Sequence, residues 1–270
     1  MNLGIAGRVA IISGGSKGIG RCTGLELAQE GCYIAFSGRN LETLEKTQRE
    51  FEVAFGREVP AFKPQPALPL AFPFQGDMNN PVDVTRFVEQ VHATYGRIDI
   101  AINNVGGSFG GGGFAQSSED QWRKVFEINL FASYNLSKAV VPYMQVHNWG
   151  RIINVGSVWG REGGGGSAYN AAKAAEISLA KSMATDLARY GILVNSVAPG
   201  SILFPGGSWA RKVESDPEGM AEFVKQEMPL GRFGTPEEVA NVIAFLASER
   251  ASLVTGACWS VDGSQGRSNI

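Results

Sequence analysis

Residues 8–31 read RVAIISGGSKGIGRCTGLELAQEG. The opening run, RVAIIS (8–13), is almost continuously apolar, as a strand buried on both faces of a parallel sheet is. Glycines follow at once, and then a stretch with helical character. The spacing is G-x-x-x-G-x-G (Gly14, Gly18, Gly20), not the commoner G-x-G-x-x-G. In a strand–glycine–helix context, backbone N–H groups and a helix N-terminus face a pyrophosphate, and glycines permit close approach. A plain tight turn has the same composition, so the loop alone leaves both readings open.

Five more apolar runs extend the pattern along the chain: CYIAFS (32–37), IDIAIN (98–103), RIINVG (151–156), ILVNSVA (192–198) and ACWSVDG (257–263). Helical patterns with readable ends lie between them. Asn80 is placed to cap a helix with Pro81 in its first turn, and Val84, Phe87, Val88, Val91 and Tyr95 share one apolar face. Ser118 with Gln121, and Thr235-Pro236 with Glu238, read as capping boxes. This alternation predicts a doubly wound α/β fold, with residues 1–270 as a single domain. One segment stands apart: residues 56–75, GREVPAFKPQPALPLAFPFQ, with prolines at 60, 64, 66, 69 and 73. That density forbids a helix interior, and the apolar content argues against a free linker. A loop packed on its own domain is expected; an oligomer contact or a flap is the sharper alternative.

The 270 residues are 44% hydrophobic and 19% charged, a globular and not a disordered balance. With 24 basic against 26 acidic residues, no basic run marks a nucleic-acid surface. Cys22, Cys32, Cys258, His92 and His147 show no metal-ligand spacing, so no metal is expected. The first residues lack a signal-peptide pattern, no apolar run approaches about 18 residues, and Asn2 excludes myristoylation. A cytoplasmic protein without a membrane partner is expected.

Gly14, Gly18 and Gly20, then Asn103-Asn104-Val105-Gly106 after a strand, Asn129, Ser157, Tyr169-x-x-x-Lys173 and Pro199-Gly200 stand in the order seen in short-chain dehydrogenases/reductases. The chain resembles that family over nearly its whole length. The resemblance implies a Rossmann-type parallel sheet of about seven strands and a nicotinamide cofactor. It implies cofactor contacts at Gly14, Ser16, Lys17, Gly18, Ile19, Gly20, Arg39, Asp77, Met78, Asn104, Val105, Gly106, Tyr169, Lys173, Pro199, Gly200 and Ile202. It also implies a catalytic set of Asn129, Ser157, Tyr169 and Lys173, and a homo-dimer or homo-tetramer. Val105 replaces the family's usual alanine, and Phe204 replaces a frequent threonine.

The second strand ends at Ser37-Gly38-Arg39. In the family an acid at the position of Gly38 would bind the adenosine ribose and repel a 2′-phosphate. Here it is missing, and Arg39 and Lys17 supply cations suited to a phosphate, so NADP(H) is expected ahead of NAD(H). The implied reaction interconverts a ketone or aldehyde and an alcohol by hydride transfer, with Tyr169 as acid/base. A free phenol titrates near 10, so a base working near neutrality needs a shift of about three units. Lys173, one helical turn on, brings a cation to the phenol. Ser157 would donate to the substrate oxygen, and Asn129 would organise a water leading to Lys173.

The segments expected around the substrate are Gly106–Phe114, Val158–Ser167 and Ser201–Met228, with Phe109, Phe114, Trp159, Phe204 and Trp209 as candidate walls. Trp159, Arg161 and Glu162 are expected to set specificity, and residues 201–228 to form a lid hinged at Gly206-Gly207. The glycines at 163–166 are expected to let the backbone bend and to keep side chains clear of the substrate. The layout also resembles 3-oxoacyl-acyl-carrier-protein reductases, although residues 139–150 carry no Lys or Arg for an acidic carrier. A non-catalytic NADP-sensing regulator is the alternative of another class.

Overall fold

The structure is a computed structural model that describes residues 2–110 and 113–269. Gly111 and Gly112, inside the expected substrate segment Gly106–Phe114, lie outside the described residues. The strands are β1 (Val9–Ile12), β2 (Tyr33–Gly38), β3 (Ala71–Gln75), β4 (Ile100–Asn103), β5 (Gly150–Val155), β6 (Ile192–Pro199) and β7 (Cys258–Val261). They form one sheet in the order β3-β2-β1-β4-β5-β6-β7, every pairing parallel. This is the doubly wound fold expected from the strand–helix alternation, and the seven-stranded Rossmann-type sheet that the resemblance implies.

The near-continuous apolar runs follow from cover on both sides. Strand residues alternate between faces. Ala10, Ile12, Ile34, Phe36 and Ile102 pack under α1 (Gly18–Gln29), α2 (Leu41–Ala54) and α9 (Pro236–Leu246). Val9, Ile11, Ala35, Ala101 and Ile152 pack under α3 (Pro81–Tyr95), α5 (Ala132–His147) and α6 (Ser167–Leu187). Each fully buried aliphatic side chain contributes about 1.5–3 kcal/mol, so these two layers hold the strand ends in register. The caps form, with a capping box at Thr235 and Glu238 but only the serine half of one at Ser118 and Gln121. Asn80 Oδ1 accepts the Val82 N–H at 3.0 Å, Ser118 Oγ the Gln121 N–H at 3.2 Å, and Glu238 Oε2 the Thr235 N–H at 2.9 Å.

The proline-rich segment divides in two. Residues 56–70 pack on their own domain as expected: the Phe62 and Phe55 rings lie 6.2 Å apart, and Tyr95 Oη donates to Pro69 O at 3.0 Å. Residues 71–75 are not loop but β3, at the sheet edge beside β2. Gly76 N–H donates to Gly38 O, so alternation turns the nitrogen of Pro73 away from β2. A proline is tolerated on that free side, where no ladder donor is needed.

Candidate active site

The sheet order reverses between β1 and β4, and the carboxyl ends of the strands open there into a cleft of about 1050 Å³. In open α/β sheets this crevice is where ligands bind. The glycine loop brings Gly14, Ser16, Lys17 and Ile19 to one wall, and Arg39, Asp77 and Met78 lie beside it. Asn104, Val105 and Gly106 follow from the end of β4, and Pro199, Gly200 and Ile202 from the end of β6. Ser157, Tyr169 and Lys173 share the same cleft. Gly18, Gly20 and Asn129 stand behind this lining.

Their packing gives the reason. Gly14 and Gly18 have φ of +66° and +52°, in the left-handed region that favours glycine. A Cβ on Gly20 would sit 2.5 Å from Asn104 Nδ2 and 2.6 Å from Gly14 O, and one on Gly18 would meet Phe204 Cζ at 2.7 Å. Asn104 Nδ2 donates to Ser13 O and Gly14 O, both at 3.0 Å, while Ser13 Oγ accepts the Asn104 N–H at 2.9 Å. The loop is thus clamped to the end of β4. Lys17 occupies the N-cap of α1 without a side-chain cap, which leaves the first N–H donors of that helix available to an anion. The cradle fits the phosphates of a dinucleotide. At the far end, Lys17 and Arg39 are exposed, and Gly38 between them and the sheet carries no carboxylate. A Cβ there would already lie 2.9 Å from Ser16 Oγ.

Ser157 lies two residues beyond the end of β5 and is buried. Its Oγ accepts the Trp159 N–H at 3.2 Å, so its own proton is free to donate into the cleft. Tyr169 is half-buried on α6, beside Val125, Ala168 and Ala172. Lys173, one turn on, is buried and donates from Nζ to Val155 O and to Glu176 Oε2, each at 2.8 Å. Burial is the strongest influence on this ammonium and opposes it. The Glu176 carboxylate and the Tyr169 phenol outweigh burial, so the Lys173 pKa is raised.

Asn129 is fully buried within a π-helical turn, Glu127–Phe131, that joins α4 (Glu119–Phe126) to α5. Such wide turns recur at functional sites. Its Nδ2 donates to Val125 O and Gly107 O at 2.8 Å, and its Oδ1 accepts the Gly107 N–H at 3.1 Å. A Cβ on Gly106 would lie 2.8 Å from Asn129 Oδ1 and 3.2 Å from Lys173 Nζ, so that glycine lets the β4 loop meet both groups. The sequence reading missed Glu176 and Ser133, which join this cluster. The available signal was a carboxylate three residues after Lys173 on the same helix.

The glycines after Ser157 have a more definite task than bending. A Cβ on Gly164 would lie 2.1 Å from Trp159 Cζ3, and one on Gly165 would lie 3.1 Å from Cδ1. They make room for the indole, which lines the cleft as expected. Arg161 and Glu162 do not line it, which corrects their assignment as specificity residues. Arg161 donates to Ser260 Oγ and to Cys258 O, and Glu162 Oε2 accepts the Arg267 N–H at 2.6 Å. Both side chains are turned to the β7 edge and the C-terminal segment. Phe109 and Phe114 are exposed and also off the cleft wall, whereas Phe204 and Trp209 are on it. The segment after β6 contains α7 (Ser208–Ser215) and α8 (Pro217–Glu227), joined by a Trp209–Phe223 ring contact at 4.9 Å.

A family model described as enoyl-(acyl-carrier-protein) reductase matches residues 14–264. A 3-oxoacyl-[acyl-carrier-protein] reductase of Thermotoga maritima is 36% identical over 260 residues, covering 96% of this chain and 98% of the relative. The chain belongs to the short-chain dehydrogenases/reductases. A cyclohexanol dehydrogenase of an Acinetobacter species is 36% identical over 261 residues, 95% of this chain and 94% of that one. The crystal structure of L-sorbose reductase from Gluconobacter frateurii, complexed with NADPH and L-sorbose, matches with a TM-score of 0.88 at 29% identity. It covers 99% of this chain and 100% of that one. The short-chain dehydrogenase/reductase is therefore an oxidoreductase of alcohol and carbonyl groups that uses NAD(P)(H), which sets aside the sensing regulator. Among the described residues no helix is long and apolar enough to cross a membrane, and no group of three or more His, Cys, Asp or Glu could hold a metal ion.

Proposed function

We propose that this enzyme interconverts a ketone or aldehyde and an alcohol with NADP(H), with Tyr169 as the acid/base. One observation carries the reading: Tyr169 opens into the cleft one helical turn from the buried Lys173 ammonium, with Ser157 in the same cleft. When bound, a nicotinamide would supply or accept the hydride. Tyr169 gives or takes the proton at the substrate oxygen, and Ser157 donates a hydrogen bond to that oxygen as charge develops on it. Lys173 holds a positive charge beside the phenol and is the donor for the nicotinamide ribose. Asn129 fixes the loop at Gly107 against the lysine and is the residue proposed to organise a proton-carrying water.

Preference for the phosphorylated cofactor rests on Lys17 and Arg39, with Gly38 offering no carboxylate to repel a 2′-phosphate. The N–H groups that open α1 would hold the pyrophosphate, and Asp77 and Met78 would flank the adenine. Residues 201–228 are proposed as a lid over the substrate, with Gly206 at φ +73° near its base. A cytoplasmic homo-dimer or homo-tetramer is proposed as the working form. Exposed Phe131 and Tyr134 at the start of α5, and Trp259 on β7, are apolar surfaces that such an assembly would cover.

A second reading, reduction of a 3-oxoacyl group on an acyl-carrier protein, is favoured by the 36% identity to the Thermotoga enzyme. The stretch 139–150 counts against it, having no Lys or Arg. A panel of ketones, aldehydes and a 3-oxoacyl carrier substrate, read by NADPH and NADH depletion, separates these readings. The expected result is turnover of a small carbonyl with higher kcat/KM for NADPH. No carbonyl turnover, or a clear preference for NADH, contradicts the corresponding part of the proposal.

A further inference from the structure

Lys173 is not held by backbone alone. Its ammonium is 2.8 Å from Glu176 Oε2, and the other carboxylate oxygen accepts the Ser133 hydroxyl at 2.6 Å. Glu176 is wholly shielded from solvent. A carboxylate in such a place is costly unless it is paired and hydrogen-bonded. Here each oxygen has one partner, and one partner is the lysine of the proposed reaction centre. Ser133 lies one turn after Asn129 on the neighbouring helix, so the network joins the segments that carry Asn129 and Lys173.

We infer that Glu176 is a positioning residue for the reaction: with Ser133 it is the fixed counter-ion that keeps Lys173 charged and aimed at the end of β5. Two neutral acceptors would orient the lysine as well, but would not offset the burial of its charge. The surrounding groups leave this task to Glu176. Val155 faces the ammonium from β5 with a carbonyl and Gly106 from the β4 loop with backbone, while the neutral Asn129 amide on the π turn is bonded to Gly107 and Val125. Tyr169 is the other titratable group on α6 that favours the ammonium. From β7, the Cys258 thiol is pushed up to about 11, chiefly by burial, and it also feels the Glu176 charge, with Arg161 opposing. Burial likewise lifts the Glu176 pKa, against Lys173 and Ser133, which pull it down.

The sign of the effect follows from linkage. In the wild type the Lys173 pKa is raised, so its stabilisation is present below the unfolded value of about 10.4 and is lost only as pH rises through the folded value. In Glu176→Gln the carboxylate is gone and burial dominates, so the folded value falls below the unfolded one. The buried ammonium then costs stability at neutral pH, and the cost disappears as rising pH removes the proton.

The test is thermal unfolding of wild type, Glu176→Gln and Glu176→Asp from pH 7 to 10, with the pH profile of kcat/KM for carbonyl reduction alongside. Glu176→Gln is expected to lose about 5–10 °C in Tm at pH 7 and to close that gap towards pH 10. Its alkaline limb of kcat/KM moves down by about one unit or more, because removing a negative charge makes the proton on Lys173 easier to lose. Glu176→Asp keeps the charge, so its gap to wild type stays independent of pH and its limb stays in place. A Glu176→Gln gap that is constant from pH 7 to 10 overturns the inference, since lost packing alone predicts that. If the single variant does not fold, Lys173→Met in the Glu176→Gln background carries the test: recovered folding supports the inference, and no recovery overturns it. The kinetic arm rests on the proposed function, whereas the Tm arm needs no substrate. A closing gap without turnover of any carbonyl would sink the proposed function and leave Glu176 standing as the counter-ion of Lys173.

Discussion

At the proposed reaction end of the cleft, Ser157 and Lys173 are buried and tied to Trp159, Val155 and Glu176. At the proposed adenosine end, Lys17 and Arg39 are exposed, and neither joins an ion pair among the described residues. The difference follows from what each end must do. Proton and hydride transfer require fixed geometry, and the groups proposed to react sit on strand and helix ends that the core holds still. Recognition of a solvent-facing phosphate tolerates long, moving cations and is screened by salt. Substitutions should therefore abolish turnover at one end and change cofactor choice at the other.

The largest expected effect is that of Tyr169→Phe, with kcat down by about 10²- to 10⁴-fold and NADPH binding retained by fluorescence titration. Turnover close to wild type would break the comparison at once. Ser157→Ala is expected to cost about 10²- to 10³-fold in kcat, since its hydroxyl is proposed to act where charge develops. Steady-state kinetics that show only a raised KM would move Ser157 to simple substrate binding. Removing both cations, Lys17→Ala with Arg39→Ala, should lower kcat/KM for NADPH by about 10- to 100-fold and leave the NADH value little changed. In the wild type, raising salt should narrow the gap between NADPH and NADH; an unaltered gap would mean that these charges do not read the phosphate. The smallest effect is expected from Gly164→Ala. Its new Cβ would press on Trp159, raising the substrate KM several-fold with kcat kept, and an unchanged KM would remove Trp159 from the substrate wall.

Much of the fold could be read along the chain because its cause is local. Strands covered on both faces must be apolar throughout, and Asn80, Ser118 and Thr235 mark helix starts through their own hydrogen bonds. Strand β3 was hidden because Pro73 signals a break, and only its place at the sheet edge makes that proline harmless. In the site, Gly14, Gly18 and Gly20 were visible as a loop. That Gly20 makes room for Asn104, and Gly18 for Phe204, depends on partners far away in sequence. Arg161 and Glu162 misled because a loop position says nothing of which way its side chain turns. Glu176 escaped because a charged residue among alanines on a helix reads as solvent-facing.

The sequence by itself determined the alternating architecture, the glycine loop after β1, and the one-turn spacing of Tyr169 and Lys173, all of which depend on neighbours along one strand or helix. The tertiary structure alone decided which residues share the cleft, that the glycines at 164 and 165 serve Trp159, and that Lys173 has a buried counter-ion. Those outcomes depend on how α5, α6 and the strand ends pack, and burial turns a neutral-looking spacing into a charge that must be answered.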